Sequence, residues 1–573
     1  GINVVPIVNL LGHTEYLIRV PELRDLNELR APDGSPLEHG QICPLHPRTL
    51  EIAEKLLRDM APFCTAGKVH VGLDESFHLG KHPLSKAEIS RIGLAAHFAG
   101  HVNRLRDLTR SLDLRMGMWA DMLCFLPEAI PLLPRDLIAY DWFYFPFPRL
   151  PRVELYNFRE YDLAAPLLAH GIEYWGCPMN GSFRYEPMPL FNDRLGNISS
   201  WWRRCAKVGA TGMLVSSWEP HRLAMEMTTV VDAAAASLWL ESSTPDPLSM
   251  LAKGFERALG VTSKTSRTVA RAALQSDQHA FVGYPRWEIN EHWDSVSPRE
   301  SLVAYTRGER FHAGLAKQSL PAPFAFSATF AKYLYARDIF VRRAARGVLR
   351  LRRFREKKAQ FGEHLHGLLI ETVRFERVLR EGREAAAAMW LRTRRRDPSN
   401  PNRVILRSDA ARLRDWRRWL KRCADNRDFA HTSAPVIGAL QLLLTVHNFE
   451  PALQKIVLEQ QLPDGTWREL RSRFTIEFCA NAAAPRSSIK REFSMPIAAG
   501  TESSLHLRIG VRGVGRVRVS DAVLIDGTVV QLPKKPLSPA GNIIGCAAPR
   551  KGLPDLQWNQ NVGVDLVLSF DRA

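Results

Sequence analysis

The chain has 573 residues, 45% hydrophobic and 24% charged, which is the composition of a globular protein and more length than a single core fills. Two to four domains are therefore expected. No run of eighteen apolar residues is present, so no membrane-spanning helix is implied, and eight scattered cysteines without a CxxC pair argue against a disulfide framework and for buried thiols. The net charge of +18 is uneven: residues 341–430 hold 26 Lys and Arg against 11 Asp and Glu.

The opening stretch, GINVVPIVNLLGH, lacks the charged leader and small-residue cleavage site of a signal peptide. It reads as a strand already in progress. A targeting signal upstream is left open, and the unpaired cysteines favour the cytoplasm. Further short apolar runs follow at KVHVGLDES, RMGMWADML, LIAYDWFYF, IEYWGCPMNG and TGMLVSSWE. Most are separated by amphipathic stretches such as RTLEIAEKLLRDM and KAEISRIGLAAHFAGHVNRLRDLTRSL. That alternation predicts parallel strands joined by right-handed helical crossovers. Six strands are predicted where a closed barrel needs eight. The expected fold class is α/β, a (β/α)8 barrel over 1–260 lacking its first two strands.

Polar and aromatic residues gather at the C-terminal ends of the six runs: His13, Asp74, Glu75, Trp119, Asp121, Asp141, Trp142, Asn180, Trp218 and Glu219. In a parallel barrel those ends form one rim, where active sites are built. Asp74 and Glu75 are the informative pair. Within a strand they would face opposite ways, but beyond its end both can approach one pocket. Neighbouring carboxylates repel, so one tends to keep a proton and the other its charge. Glycoside hydrolysis needs that division of labour.

Residues 261–432 are predicted to form a basic helical domain, with an apolar stripe at Phe361, Leu365, Leu368, Thr372, Phe375 and Leu379 and a break at PSNPN. From 433 to 573 the period becomes two. Leu505, Leu507, Ile509 and Val511 alternate with polar residues or glycine, Gly513 to Gly515 mark a turn, and Pro463-Asp464-Gly465 marks a hairpin. This end is expected to be a β-sandwich, either carbohydrate-binding or structural.

HVGLDE, His70 to Glu75, resembles the His-x-Gly-x-Asp-Glu motif of glycoside hydrolase family 20, the β-N-acetylhexosaminidases. SFHLGK and VVPIVNLLGHTEYLIRVPEL are similar to the hexosaminidase D branch, and the resemblance covers roughly residues 1–240. It implies a (β/α)8 barrel with the acid pair ending the fourth strand, and no cofactor or metal. It also implies catalysis in which the substrate's own 2-acetamido oxygen attacks the anomeric carbon. Asp74 would orient the acetamido group, and Glu75 would act as general acid and base. His13, Trp119, Asp121, Trp142, Tyr144, Tyr174, Trp218 and Glu219 would bind the sugar. The sequence departs from the family in three places: Asn9 stands where an acid is usual, Trp218 and Glu219 are adjacent rather than one residue apart, and the arginine of the first strand has no counterpart.

The implied partner is an N-acetylhexosaminide; neither nucleic acid nor membrane is expected. A glycan-binding protein that has lost turnover is the alternative, and an anion-binding role for residues 341–430 is a third reading. His78 and His82 could be read as a metal pair, but no third ligand is evident. Asn197-Ile198-Ser199 fits a glycosylation sequon.

Overall fold

The computed structural model describes residues 1–31, 33–37, 40–76, 78–146, 162–182, 187–218, 225–241, 245–281, 298–396, 401–431, 434, 438–447, 454–476, 488–497, 504–512, 516–526, 529–538, 542–544 and 566–571. Five strands form a parallel sheet in chain order: β1 Lys68–His70, β2 Arg115–Trp119, β3 Ile138–Trp142, β4 Glu173–Cys177 and β5 Gly212–Met213. Helices Leu94–Ser111, Ala164–His170 and Phe191–Val208 lie between β1 and β2, β3 and β4, and β4 and β5. Parallel neighbours require such crossovers. All five residues of β3 are buried, as expected of a strand covered on both faces.

The opening run does not form a regular strand. Ile7 makes an isolated parallel bridge to His70, and the Val8 and Leu10 amides donate to the carbonyls of His70 and Val71 at 2.8 and 3.0 Å. It therefore lies along the outer edge of β1, the position expected of the first run. Met179 and Ser216 extend β4 and β5 by one further parallel bridge. Among the described residues, no pairing joins β5 back to the opening run, so the five-stranded sheet is not closed there.

After the sheet come helices Pro247–Leu259, Ser263–Asp277, Pro298–Leu315, Ala322–Arg353, Lys358–Thr393 and Pro401–Asp425. The stripe from Phe361 to Leu379 is buried throughout, and the Thr372 hydroxyl donates to the Leu368 carbonyl, which lets a polar residue sit in an apolar row. Phe375 stacks on Phe340 at 4.6 Å. Of the predicted break, residues 398–400 lie outside the described residues, and a helix begins at Pro401. Phe324, at the start of its helix, packs on Phe191 and Phe255 in one apolar cluster, so a shared core spans both sides of position 260.

The C-terminal strands are β6 Gly438–His447, β7 Gln454–Gln461, β8 Trp467–Ile476, β9 Ser488–Ile497, β10 Ser504–Arg512, β11 Arg516–Asp526, β12 Val529–Gln531, β13 Asn542–Ile544 and β14 Leu566–Asp571. They pair antiparallel in two sheets, β14-β10-β7-β8 and β12-β11-β6-β9, with β13 also on β11. The alternating Leu505, Leu507 and Ile509 are buried. The turn at Pro463-Asp464-Gly465 joins β7 to β8, with Gly465 at φ 83° and Asp464 Oδ1 accepting the Thr466 amide at 2.9 Å. The turn at Gly513 to Gly515 lies outside the described residues.

None of the six described cysteines is in a disulfide, and all six are buried. No described helix is long and apolar enough to cross a membrane.

Candidate functional site

The exit from β1 builds the site. Past His70 the chain turns through left-handed backbone at Gly72 (φ 72°), Leu73 (φ 79°) and Glu75 (φ 50°). Only glycine does this without steric cost, and Gly72 has a second reason: a Cβ there would lie 2.3 Å from Asn9 Oδ1. Leu73 and Glu75 have to be held in place, at a cost on the order of 1–2 kcal/mol each. The holding bonds are specific. His70 Nδ1 accepts the Gly72 amide at 3.0 Å, Ser76 Oγ donates to the Leu73 carbonyl at 3.0 Å, and Asp121 Oδ2 accepts the Glu75 amide at 2.9 Å. Gly12 packs so closely on the Asp74 carbonyl that a Cβ would lie 1.8 Å from its oxygen.

The turn sends both acids to one imidazole. His13 Nε2 lies 3.3 Å from Asp74 Oδ2 and 3.2 Å from Glu75 Oε2. His13 is itself left-handed, at φ 53°. Its hydrogen bonds, to Asp74 first and Glu75 second, raise its pKa to about 11, so it is a cation between the acids at neutral pH. Asp74 is 8% exposed, and its other oxygen, Oδ1, is buried with no hydrogen-bond partner.

Asp121 follows β2 directly and is 1% exposed. Burial above all, and the Asp74 charge next, hold its carboxyl well above the usual carboxylate range, against the lowering effect of the Glu75 amide and the Trp142 indole. Aromatic rings continue from there. Trp119 lies between His70 (4.5 Å between ring centres) and Trp218 (5.8 Å). Trp142 stacks on Tyr144 at 4.9 Å and 22°, and the Trp218 indole donates to the Tyr144 hydroxyl at 2.6 Å. Trp218 is 43% exposed while Trp119, Trp142 and Tyr144 are buried, so Trp218 offers the open face of the group. Arg194 fixes the strand end beneath by donating to the Tyr144 and Gly181 carbonyls.

Contacts therefore link His13 with Asp74 and Glu75, Glu75 with Asp121, Trp119 and Tyr144 with Trp218, and Trp142 with Tyr144. Tyr174 is not brought there. Side chains alternate along a strand, and Tyr174 faces opposite to Glu173 and Trp175. It is fully buried, with its hydroxyl donating to Asp141, which likewise faces away from Tyr140 and Trp142. Glu219 lies outside the described residues. Asn180 donates to Asp232 at 2.7 Å.

The sequon reading of Asn197 meets an obstacle: the side chain is fully buried, and its amide donates to the Phe143 and Phe145 carbonyls. His82 caps helix Pro83–Ile92, with Nδ1 accepting the Leu84 amide, and it lies 3.0 Å from Arg30. Among the described residues no group of three or more His, Cys, Asp and Glu is arranged to hold a metal. Glu28 was not anticipated. Its buried carboxylate accepts the Gly80 and Lys81 amides at 2.8 and 3.0 Å and the Ser85 hydroxyl at 3.0 Å, anchoring the loop after the acid pair. Nothing periodic in LNELRAP marks it.

No family model matches the sequence, and no curated protein matches it. Solved structures do. The exo-β-N-acetylglucosaminidase of Vibrio harveyi, solved with N-acetylglucosamine, is 17% identical over 48% of this chain and 43% of its own, with a TM-score of 0.28. The β-N-acetylhexosaminidase of Streptomyces coelicolor A3(2) is 16% identical over 45% of this chain and 52% of its own, at 0.30. The chitobiase of Flavobacterium johnsoniae is 14% identical over 74% of this chain and 60% of its own, at 0.32. All three are described as family 20 proteins, and the chain spans about half the length of these structures. At such TM-scores they carry nothing about its chemistry, which rests on its own residues.

Proposed function

We propose that this protein is an exo-β-N-acetylhexosaminidase of the hexosaminidase D kind, removing terminal GlcNAc or GalNAc on a family 20 type barrel. The observation that carries this reading is one imidazole within 3.3 Å of two adjacent carboxylates, beside a group of aromatic rings. Asp74 Oδ1, buried and without a partner, suits the N–H of a 2-acetamido group. In that role Asp74 aims the acetamido oxygen at the anomeric carbon and balances the positive charge of the cyclic oxazolinium that forms. Glu75 gives a proton to the leaving oxygen as the glycosidic bond breaks. It then takes one from the water that opens the ring from the vacated side. Two inversions give net retention, and no bond to the enzyme forms. The open face of Trp218 suits the apolar side of a pyranose. The two C-terminal sheets, read as a β-sandwich, suit an accessory carbohydrate-binding unit.

The test is nitrophenol release from the nitrophenyl β-N-acetylglucosaminide by the full-length protein, beside Asp74→Asn and Glu75→Gln. Each substitution is expected to lower kcat by about 10²- to 10⁴-fold. A folded parent without turnover, or turnover indifferent to both changes, overturns the reading; sugar binding without hydrolysis would then mark a glycan-binding protein.

A further inference from the structure

Glu75 needs a partner to stay where it is. Its φ of 50° is unusual for a side chain of that size, and its amide donates to one acceptor, Asp121 Oδ2, at 2.9 Å. Asp121 is anchored by the end of β2 and is 1% exposed. The groups that face it are Asp74 and Glu75 from the β1 exit and Trp142 from β3; His13, from the opening run, is bonded to the two acids.

We propose that Asp121 is a positioning residue for the acid pair, its buried carboxyl holding the Glu75 peptide in the turn that delivers both acids to one pocket. This rests on the hydrolase reading above. Three observations support it. The bond to Glu75 runs from its N–H to Asp121 Oδ2, an oxygen that accepts the peptide in either protonation state and fixes its direction. The site's one imidazole is already bonded to the two other acids, so a negative charge on buried Asp121 would have no cation of its own among the groups that face it. Burial and the Asp74 charge both favour the protonated form of Asp121. The arrangement gives Glu75 a fixed direction without adding a competing charge beside it.

Asparagine is the discriminating substitution, because it keeps the carbonyl oxygen and carries no charge. In the full-length protein, Asp121→Ala is expected to lose about 100-fold in kcat at neutral pH with KM changed far less, and Asp121→Asn to lose at least about tenfold less than Asp121→Ala. If Asp121 ionises on the alkaline side, the parent's kcat declines there and that limb is absent in Asp121→Asn. A merely structural role would leave the pH profile in place and lower the melting temperature and the active fraction together. Asparagine as damaging as alanine would overturn the proposal, because the charge would then be needed. Alanine as active as the parent would overturn it too. A separate readout does not depend on turnover: the infrared carbonyl band of a protonated carboxylic acid, present in the parent at neutral pH and missing from Asp121→Asn. No such difference band would sink the uncharged state even in a protein that hydrolyses the substrate. An inactive parent that shows the band would sink the hydrolase reading and leave the Asp121 assignment standing.

Discussion

At the residue scale the site is a charge-balance problem solved by His13. Two carboxylates side by side repel, and the imidazolium between them offsets that repulsion. Because its folded pKa is raised from 6.5 to about 11, the stability it contributes is full below pH 6.5 and is lost as pH rises toward 11. His13→Gln is therefore expected to flatten the decline in stability between pH 7 and pH 10, measured by urea unfolding. An unchanged slope would remove His13 from the account. The acid pair and the tryptophans were legible in the sequence because each stands at the end of an apolar run. Tyr174 faces away from this group for a simple reason. Being near a strand end says nothing about which face a residue takes, and that parity is set by the pairing of Tyr140 with Trp175. The double contact of His13 was not legible, since it follows from left-handed backbone at residues other than glycine.

At the element scale, the decisive feature is the turn leaving β1. Regular periodicity predicts where a strand runs and stops but not how the chain leaves it, and here the exit depends on Asn9, Gly12, His70 and Asp121, drawn from three separate segments. The same limit applies to the opening run: its apolar residues predict a strand, and it pairs with β1 through a few hydrogen bonds without becoming a regular one. Gly72→Ala tests the turn. It adds a Cβ at φ 72° against Asn9, and it is expected to cost about 2–4 kcal/mol of stability and to lower turnover beyond the loss of folded protein. Alanine tolerated at parental stability and activity would mean that the turn does not depend on this close approach. The helices and C-terminal strands were more legible, because long segments of period 3.6 or 2 outweigh local exceptions such as Thr372.

On the scale of the whole molecule, charge and burial set how the fold responds to pH. His70 and His101 are buried and pushed down to about 3, and His97 and His312 to about 4, in each case chiefly by burial. They fold neutral, so their contribution is present above pH 6.5 and is lost as pH falls below it. Each is expected to remove up to about 2 kcal/mol between pH 7 and pH 5. Unfolding measured at both values should show the protein much weaker at pH 5, and equal stability would contradict the buried neutral assignment. Part of the basic segment's charge is met by surface pairs such as Arg417 with Glu376 and Arg343 with Glu371, which link helices already packed through an apolar core. Its sequence showed the excess of charge but not these partners, which come from distant turns.

The central claim is that the substrate supplies its own nucleophile and Asp74 aims it. The most direct measurement compares nitrophenol release from the β-N-acetylglucosaminide with release from the β-glucoside, which differs only in carrying a hydroxyl in place of the acetamido group. The account predicts turnover of the first and a loss of at least about 10³-fold in kcat/KM on the second, with the two substrates becoming alike in Asp74→Asn. Equal turnover of both by the parent protein would contradict it.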